Sequence, residues 1–338
     1  VAGTLFTTSP IIITGTVSDD LPVQVSVNNY PAVIAENSFS CHYPLKEGSN
    51  ILTVTAQDAA GNQTVVIFEV LLDSTPPYSF VPVISPSNWT STMPVVSFET
   101  NDATSGISYY ELAIDDGDFV VASSPYQLPL LPDGEHTIRV RAVDFAGWLT
   151  VGEAKAYIDT TPPQSFSPST DPSGCTNNPE PLLLFEAEDD ASGIAYYTLR
   201  VNSGEPIRVT SPHRLVPLAD GEYVLVVTAV DFAGCATSAE VNIIIDTAPP
   251  PAPEIVRVIP GPDNINIKWS ASVDAHVTWY HVERSPAWEQ GMRIVDALEI
   301  VDTDLLADEV YSYRIFALDR AANISSGTQW HEGQLGIA

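Results

Sequence analysis

The sequence predicts an all-β chain of four tandem β-sandwiches in an extended row, and three observations carry that expectation. A five-residue mark recurs as Asp73-Ser74-Thr75-Pro76-Pro77, Asp159-Thr160-Thr161-Pro162-Pro163 and Asp246-Thr247-Ala248-Pro249-Pro250. Its starts lie 86 and 87 residues apart, and a fixed period signals an array. A second mark keeps the same beat: Asp58-Ala59-Ala60-Gly61-Asn62, Asp144-Phe145-Ala146-Gly147-Trp148, Asp231-Phe232-Ala233-Gly234-Cys235 and Asp319-Arg320-Ala321-Ala322-Asn323. Four copies of the second mark against three of the first mean four modules and three linkers, with expected bounds 1–75, 76–161, 162–248 and 249–338. Third, helical periodicity is almost absent, and short β-branched runs are separated by Gly, Pro, Asn and Asp turns.

Each module supplies its own strand signals. The first has Ile11-Ile12-Ile13-Thr14 and Ile51-Leu52-Thr53-Val54-Thr55, the second Thr137-Ile138-Arg139-Val140-Arg141, and the third Tyr223-Val224-Leu225-Val226-Val227. The second and third are near duplicates. Phe98-Glu99-Thr100-Asn101-Asp102 matches Phe185-Glu186-Ala187-Glu188-Asp189, each followed by Ser-Gly-Ile, and Asp133-Gly134-Glu135-His136 matches Asp220-Gly221-Glu222-Tyr223. The fourth carries strand-length runs at Ile265-Asn266-Ile267-Lys268-Trp269 and over 311–319. With 28 prolines among so many strand-length pieces, antiparallel sandwiches are the natural class. Proline fixes φ and drives the preceding residue towards extended conformations, so each Pro-Pro pair reads as a short semi-rigid spacer.

These words carry a resemblance. The Asp-Xaa-Ser-Gly-Ile segment, the Asp-Gly-Glu-His turn and the Asp-Xaa-Ala-Gly-Asn ending resemble bacterial immunoglobulin-like modules of secreted and cell-surface proteins. The first module looks like a related type, and the fourth is similar to a fibronectin type III domain. In that last case the resemblance implies that Trp269 is the core Trp of its strand and that Tyr311, six residues after Leu305, makes a tyrosine-to-backbone corner. The resemblance implies an extracellular or cell-surface location. It is specific for fold and unspecific for function.

Composition narrows the function. Of 338 residues 44% are hydrophobic, enough for a modest core in each module, and the net charge is −30 with a pI near 4.1. Such a charge repels nucleic acid and anionic membrane and favours solubility or cation binding. No apolar run is long enough to span a membrane. No basic-then-apolar leader opens the chain at Val1, so any secretion signal is expected to be removed or to lie beyond this sequence. Three cysteines are too sparse for a disulfide framework or a zinc site. A Cys175–Cys235 bridge is conceivable within one module, although the strand reading puts the two near opposite ends of it.

The carboxylates are the most informative functional signal. In a seven-strand sandwich the connections after even-numbered strands lie at the pole where the chain enters. That gathers Asp73, Glu99, Asp102 and Asp144 at the first junction, and Asp159, Glu186, Asp189, Asp190 and Asp231 at the second. Asp246, Asp274 and Asp319 form a thinner third set. Carboxylates forced together repel unless neutralised, and a hard cation with six to eight oxygen ligands does this, so structural calcium is expected at the junctions. The alternative is that each Asp simply accepts backbone N–H groups in a tight turn.

The six histidines form no metal-ligand spacing, and no nucleophile elbow, phosphate loop or dinucleotide glycine pattern occurs. The expectation is therefore a non-catalytic extracellular spacer, stalk or filament component, with other protein subunits or cell-surface components as its partners. The alternative is an accessory carbohydrate-binding region of a secreted polysaccharide-degrading enzyme, with glycan stacked on Trp89, Trp148, Trp279, Trp288 or Trp330. For Trp148, at the end of a turn, an interdomain contact with the first module is the other reading.

Overall fold

The structure is a computed structural model and describes residues 3–335. The outermost residues of the first and fourth expected modules, 1–2 and 336–338, lie outside the described residues, as does the side chain of residue 256. No helix occurs among the described residues. The chain divides into two compact units, Val1–Thr161 with Phe232–Gly234, and Pro162–Asp231 with Cys235–Ala338. Among the described residues each unit holds two hydrophobic clusters, one for each of its repeats.

In the first unit, module one comprises β1 (Thr4–Phe6), β2 (Ile11–Thr16), β3 (Val23–Val27), β4 (Tyr30–Pro31), β5 (Val33–Ala35), β6 (Ser38–Tyr43), β7 (Gly48–Asp58) and β8 (Gln63–Leu72). They form sheets ordered β1-β8-β7-β3-β4 and β2-β6-β5. The period of two decides what faces inward: Ile11 and Ile13 are buried while Ile12 and Thr14 are exposed. These meet Val27, Cys41, Leu52, Val70 and Leu72 between the sheets. Burying each such aliphatic side chain contributes about 1.5–3 kcal/mol. β1 runs parallel to β8, pairing Thr4–Phe6 with Val70–Leu72.

Module two comprises β9 (Val83–Ser85), β10 (Val95–Ser97), β11 (Ile107–Ile114), β12 (Val120–Ala122), β13 (Tyr126–Gln127), β14 (Gly134–Asp144) and β15 (Leu149–Ile158). Its sheets are β13-β10-β9 and β12-β11-β14-β15. Leu112, Leu128, Ile138 and Val140 centre its core. Thr90 makes a single parallel bridge to Ile158, at the end of β15.

In the second unit, module three repeats this plan with β16 (Ser169–Asp171), β17 (Cys175–Thr176), β18 (Leu182–Leu184), β19 (Ile194–Val201), β20 (Ile207–Val209), β21 (His213–Arg214), β22 (Gly221–Asp231) and β23 (Ala236–Ile245). Its sheets are β16-β18-β21 and β17-β23-β22-β19-β20. Cys175 pairs with Ile244, at the far end of β23 from Cys235, and the two form no bridge. Nearly a whole strand separates them, far beyond disulfide reach.

Module four comprises β24 (Ile255–Pro260), β25 (Ile265–Trp269), β26 (Val277–Ser285), β27 (Arg293–Val295), β28 (Glu299–Asp302), β29 (Val310–Asp319) and β30 (His331–Gln334). Its sheets are β24-β25-β28 and β27-β26-β29-β30. Trp269 lies in the core, edge-on to Tyr280. Tyr311 makes the expected corner, its hydroxyl accepting the Leu306 N–H at 2.8 Å.

Trp288, expected as an accessible stacking residue, is instead 4% exposed. Its indole N–H donates to Asp302 Oδ1 at 3.0 Å, and Asp302 Oδ2 accepts from Arg284 at 3.0 Å and Tyr313 at 2.7 Å. Burial alone would raise the Asp302 pKa, but these donors hold it below the ordinary carboxylate value.

The Pro-Pro linkers are fastened at their downstream ends rather than standing free. Pro77, Pro163 and Pro250, the second proline of each pair, are buried. Pro77 O accepts from Thr150 Oγ1 at 2.6 Å, and Pro163 O accepts from Thr237 Oγ1 at 2.5 Å. Proline lacks an N–H but keeps its carbonyl acceptor, and the repeat uses it at the same point twice.

Candidate metal centre

Three of the expected acids converge inside the first unit. Asp144 ends β14 and opens the turn to β15. Its Oδ1 accepts the Trp148 N–H at 2.9 Å, and Gly147, at φ +90°, supplies the left-handed step that closes the turn. Asp102 sits in the loop between β10 and β11, where its Oδ1 collects the N–H groups of Thr104, Ser105 and Gly106 at 2.9, 2.8 and 3.1 Å. Asp73 leaves β8 into the linker. Its N–H donates to Phe6 O at 2.8 Å, and its Oδ1 takes only long contacts from Thr75 at 3.3 and 3.4 Å.

Each carboxylate offers one oxygen to a set whose members all lie within 4.8 Å of one another. Asp73, Asp102 and Asp144 are 0%, 5% and 2% exposed. Asp73 Oδ2 and Asp144 Oδ2 are buried without a hydrogen-bond partner. Burial raises the Asp144 pKa, and the charge of Asp73 raises it further against the opposing turn N–H groups. No ion pair of the described residues involves any of the three. At an effective dielectric of about 20, two carboxylates about 4 Å apart repel by about 4 kcal/mol.

The donor set fits a hard cation. Calcium binds oxygens at about 2.3–2.6 Å, so two ligands of one ion can stand up to about 5 Å apart. Asp73, Asp102 and Asp144 would each supply one carboxylate oxygen, and the ion would supply the positive charge they lack.

Glu99 stays outside this set and is exposed. Strand alternation explains it: Phe98 turns into the core at 5% exposure, so its neighbour turns out. Phe185 and Glu186 repeat that division, with Glu186 exposed. Asp159 belongs to the first unit, where it is fully buried and its N–H donates to Thr90 O at 3.0 Å. In the second unit, Asp189 Oδ1 accepts from Ala191, Ser192 and Gly193 at 3.3, 2.9 and 2.7 Å. Asp231 Oδ1 accepts the Cys235 N–H at 2.8 Å, and Asp190 accepts from Gln164 at 3.0 Å.

The thinner set of module four takes another form. Asp319 Oδ1 accepts the Asn323 N–H and Oδ2 accepts the Asn323 side-chain amide, both at 2.8 Å. The same amide nitrogen donates to Asp246 O at 2.7 Å. Asp274 Oδ1 accepts the His276 N–H at 2.8 Å. In module one Asn62 likewise serves Asp58, with both of its bonds at 2.8 Å. At Asp144 the corresponding residue is Trp148, whose indole N–H donates to Asp73 O at 3.0 Å. The Trp anchors the linker, but it gives Asp144 Oδ2 nothing.

One residue escaped the sequence reading. Glu47 accepts from Ser74 Oγ at 2.6 Å, from Thr75 Oγ1 at 3.4 Å and, across the junction, from Thr104 Oγ1 at 3.1 Å. Burial would raise its pKa, but the Ser74 and threonine donors lower it overall. Asp133 and Asp220 hold Thr160 and Thr247 in the same way. The available signal was an acid-Gly pair at 47–48, 133–134 and 220–221, on the same beat as the linkers.

Residues 4–74 match the family model described as glucodextranase, domain B. Among solved structures, the chain is similar to a tetra-tandem repeat in the extending region of a large adhesion protein, with 19% identity over 99% of this chain and 98% of that one, TM-score 0.37. It is similar to chicken CNTN1 FN1-FN3 domains at 15% identity over 78% and 99%, TM-score 0.35. It is also similar to fibronectin(III)-like modules of Clostridium thermocellum CbhA at 18% identity over 47% and 90%, TM-score 0.28. No curated protein matches the chain. Its strand orders and separate cores make this an all-β chain of tandem immunoglobulin-like and fibronectin III-like domains.

Proposed function

We propose that the chain is a non-catalytic extracellular spacer of a bacterial cell surface, stiffened by calcium bound through Asp73, Asp102 and Asp144. The observation that carries this reading is the pair of buried, unpartnered oxygens, Asp73 Oδ2 and Asp144 Oδ2, in a set within 4.8 Å. Turn duty accounts for Oδ1 of Asp102 and Asp144 and leaves these atoms without a role. Asp73 belongs to the linker, while Asp102 and Asp144 belong to two loops of module two. A cation shared by the three would therefore fasten the linker to the next module, and Glu47 already holds it from the module before. Sites of this kind in extracellular modules bind with Kd on the order of 10⁻⁴–10⁻³ M. Its partners would be the neighbouring protein subunits or surface components that a spacer joins.

Equilibrium dialysis of the chelator-treated chain tests the reading. Saturable calcium uptake in that range, lowered in both Asp73→Asn and Asp144→Asn, is expected. No uptake at millimolar calcium sinks the metal reading. Small-angle scattering with and without calcium then reads stiffness, and a chain equally rigid after chelation leaves the linkers to act alone.

A second reading rests on module four. Trp279 and Trp330 are 50% and 44% exposed on the β27-β26-β29-β30 sheet and at the start of β30, and Arg314 stacks 4.6 Å from the Trp330 ring centroid. Such a face suits sugar rings and is the basis for an accessory glycan-binding role. Glycan retention abolished by Trp279→Ala would give this reading the lead.

A further inference from the structure

Modules two and three are near duplicates, yet one cavity that both contain carries opposite charge in the two. In each, a short edge strand covers only part of the strand beside it. β20 meets Tyr197–Leu199, so β19 has no strand beside it at 194–196 on that side. β12 likewise meets only Tyr110–Leu112 of β11. The chain then crosses to the other sheet, into β13 in module two and β21 in module three. Beside each crossing lies a cavity, of about 440 Å³ in module two and about 490 Å³ in module three. A tyrosine pair walls both, Tyr109 with Tyr110 and Tyr196 with Tyr197.

The cavity of module two is lined by Glu99 and by no base. That of module three is lined by Arg208 and His213 and by no acid, in a chain with 43 acidic residues against 13 Lys and Arg. Register shows the exchange. Val121, opposite Glu111, stands where module three has Arg208, opposite Thr198. Tyr126 stands where module three has His213. Arg208 is also uncommitted. In module two Arg139 pairs with Asp116, Arg141 with Glu111 and Lys155 with Glu135. Arg208 makes no ion pair among the described residues. Its guanidinium carbon lies 3.9 Å from the Tyr196 ring centroid. Stacking on the ring steadies the planar fork and leaves its N–H edge for an acceptor. Arg200 holds a diagonal position to Arg208, about 7–8 Å away along the sheet, and adds a second positive charge.

We propose that the module-three cavity binds a single carboxylate carried on a sugar ring, as in a uronic acid residue at the end of a glycan. The Arg208 fork donates two parallel N–H bonds to a carboxylate. A ring N–H of His213 and the Thr210 hydroxyl add donors beside it. The tyrosine pair and Val209 supply the apolar wall that a sugar ring lies against. A net charge of −30 repels a long polyanion, so the group recognised is an isolated acidic residue and not a charged polymer. The proposal goes beyond the spacer reading and the Trp279 reading, and involves neither calcium nor module four.

The test is a titration of the whole chain, in chelator, with glucuronic acid, read by amide chemical shifts. Saturable shifts at Tyr196 and Val209, absent from Tyr109 and Ala122, are expected, with a Kd of about 1 mM. Arg208→Val installs the residue that module two already carries at this position, so the fold is kept. Binding should then weaken at least about tenfold. Arg208→Lys keeps the charge without the fork and should fall between the two. Glucose bound as tightly as glucuronate overturns the charge assignment, and acetate or inorganic phosphate bound as tightly overturns the sugar. An acidic peptide that binds more tightly than glucuronate gives the site to a protein and overturns the proposal as well. So does the absence of shifts at about 50 mM glucuronate, well beyond a millimolar complex, or undiminished binding by Arg208→Val.

Discussion

The turn at Asp144 and the turn at Asp319 are the same loop with opposite outcomes. Both begin with an Asp N–H donating to the carbonyl of the fifth residue at 3.1 Å, and both place the fourth residue in the left-handed region, Gly147 at +90° and Ala322 at +66°. Both also use Oδ1 to accept the N–H of the fifth residue. They part at Oδ2. Asn323 returns its side-chain amide to Asp319 and closes the carboxylate, whereas Trp148 sends its indole N–H to the linker and leaves Asp144 open. One side chain at the end of a turn thus decides whether a buried acid completes its own loop or calls for a counter-charge from outside.

The largest effect is expected from breaking the closed case. Asn323→Ala leaves Asp319 Oδ2 buried without its donor and frees Asp246 O, which should cost about 1–3 kcal/mol in denaturant unfolding. That loss should be the same with calcium or chelator. A variant as stable as the parent would show that the amide does not matter and dissolve the contrast.

Next comes conversion of the open turn. Asp144→Asn removes one charge from the set. In calcium at about ten times Kd it should forfeit about 1.4 kcal/mol of ligand stabilisation, while in chelator it should unfold no more readily than the parent. Trp148→Asn gives Asp144 the donor that Asp319 has, and should weaken calcium binding about tenfold, or 1.4 kcal/mol. Titration calorimetry of both variants reads this directly, and undiminished affinity in either would remove Asp144 from the ligand set.

Glu47→Ala should do less. It deletes the acceptor shared by Ser74 and Thr104, exposed bonds worth about 0.5–1 kcal/mol together, and should show as faster amide exchange at Ser74.

The smallest effect is a pH control that separates module two as a whole from its metal set. Burial would lower the His136 pKa, but hydrogen bonds to Asp115 at 2.8 Å and Pro132 O at 2.8 Å raise it overall. A histidine raised in the folded state contributes stability that is complete below its unfolded value near 6.5 and is lost as pH climbs through the folded value. Module two should therefore soften slightly above about pH 6.5, and Asp115→Asn should flatten that slope without changing calcium uptake.

Much of this was legible in the sequence, because turns and linkers punctuate it at a constant beat. Ile11 and Ile13 follow from alternation alone, and Trp269 and the Tyr311 corner from the likeness of the fourth module to a fibronectin type III domain. The convergence of Asp73 with Asp102 and Asp144 also followed from loop polarity. Glu99 was grouped with them only because alternation was not carried one residue past Phe98. Trp288 looked like a surface aromatic because its partners, Arg284, Asp302 and Tyr313, come from three other stretches of chain. The state of a single carboxylate oxygen has no sequence period at all. It depends on which way the fifth side chain of a turn reaches, and that depends on what the linker brings beside it.

The short parallel pairings at the start of three modules have a mechanical meaning. β1 against β8, Thr90 against Ile158, and β17 against β23 all place the incoming chain beside the outgoing strand, pointing the same way. Tension along the polypeptide pulls such a pair lengthwise in opposite directions, so its hydrogen bonds are loaded together in shear and cannot be unzipped one at a time. A module tied in this manner resists stretching through a few short residues at its mouth, and its lifetime under load is set by how fast that patch slips.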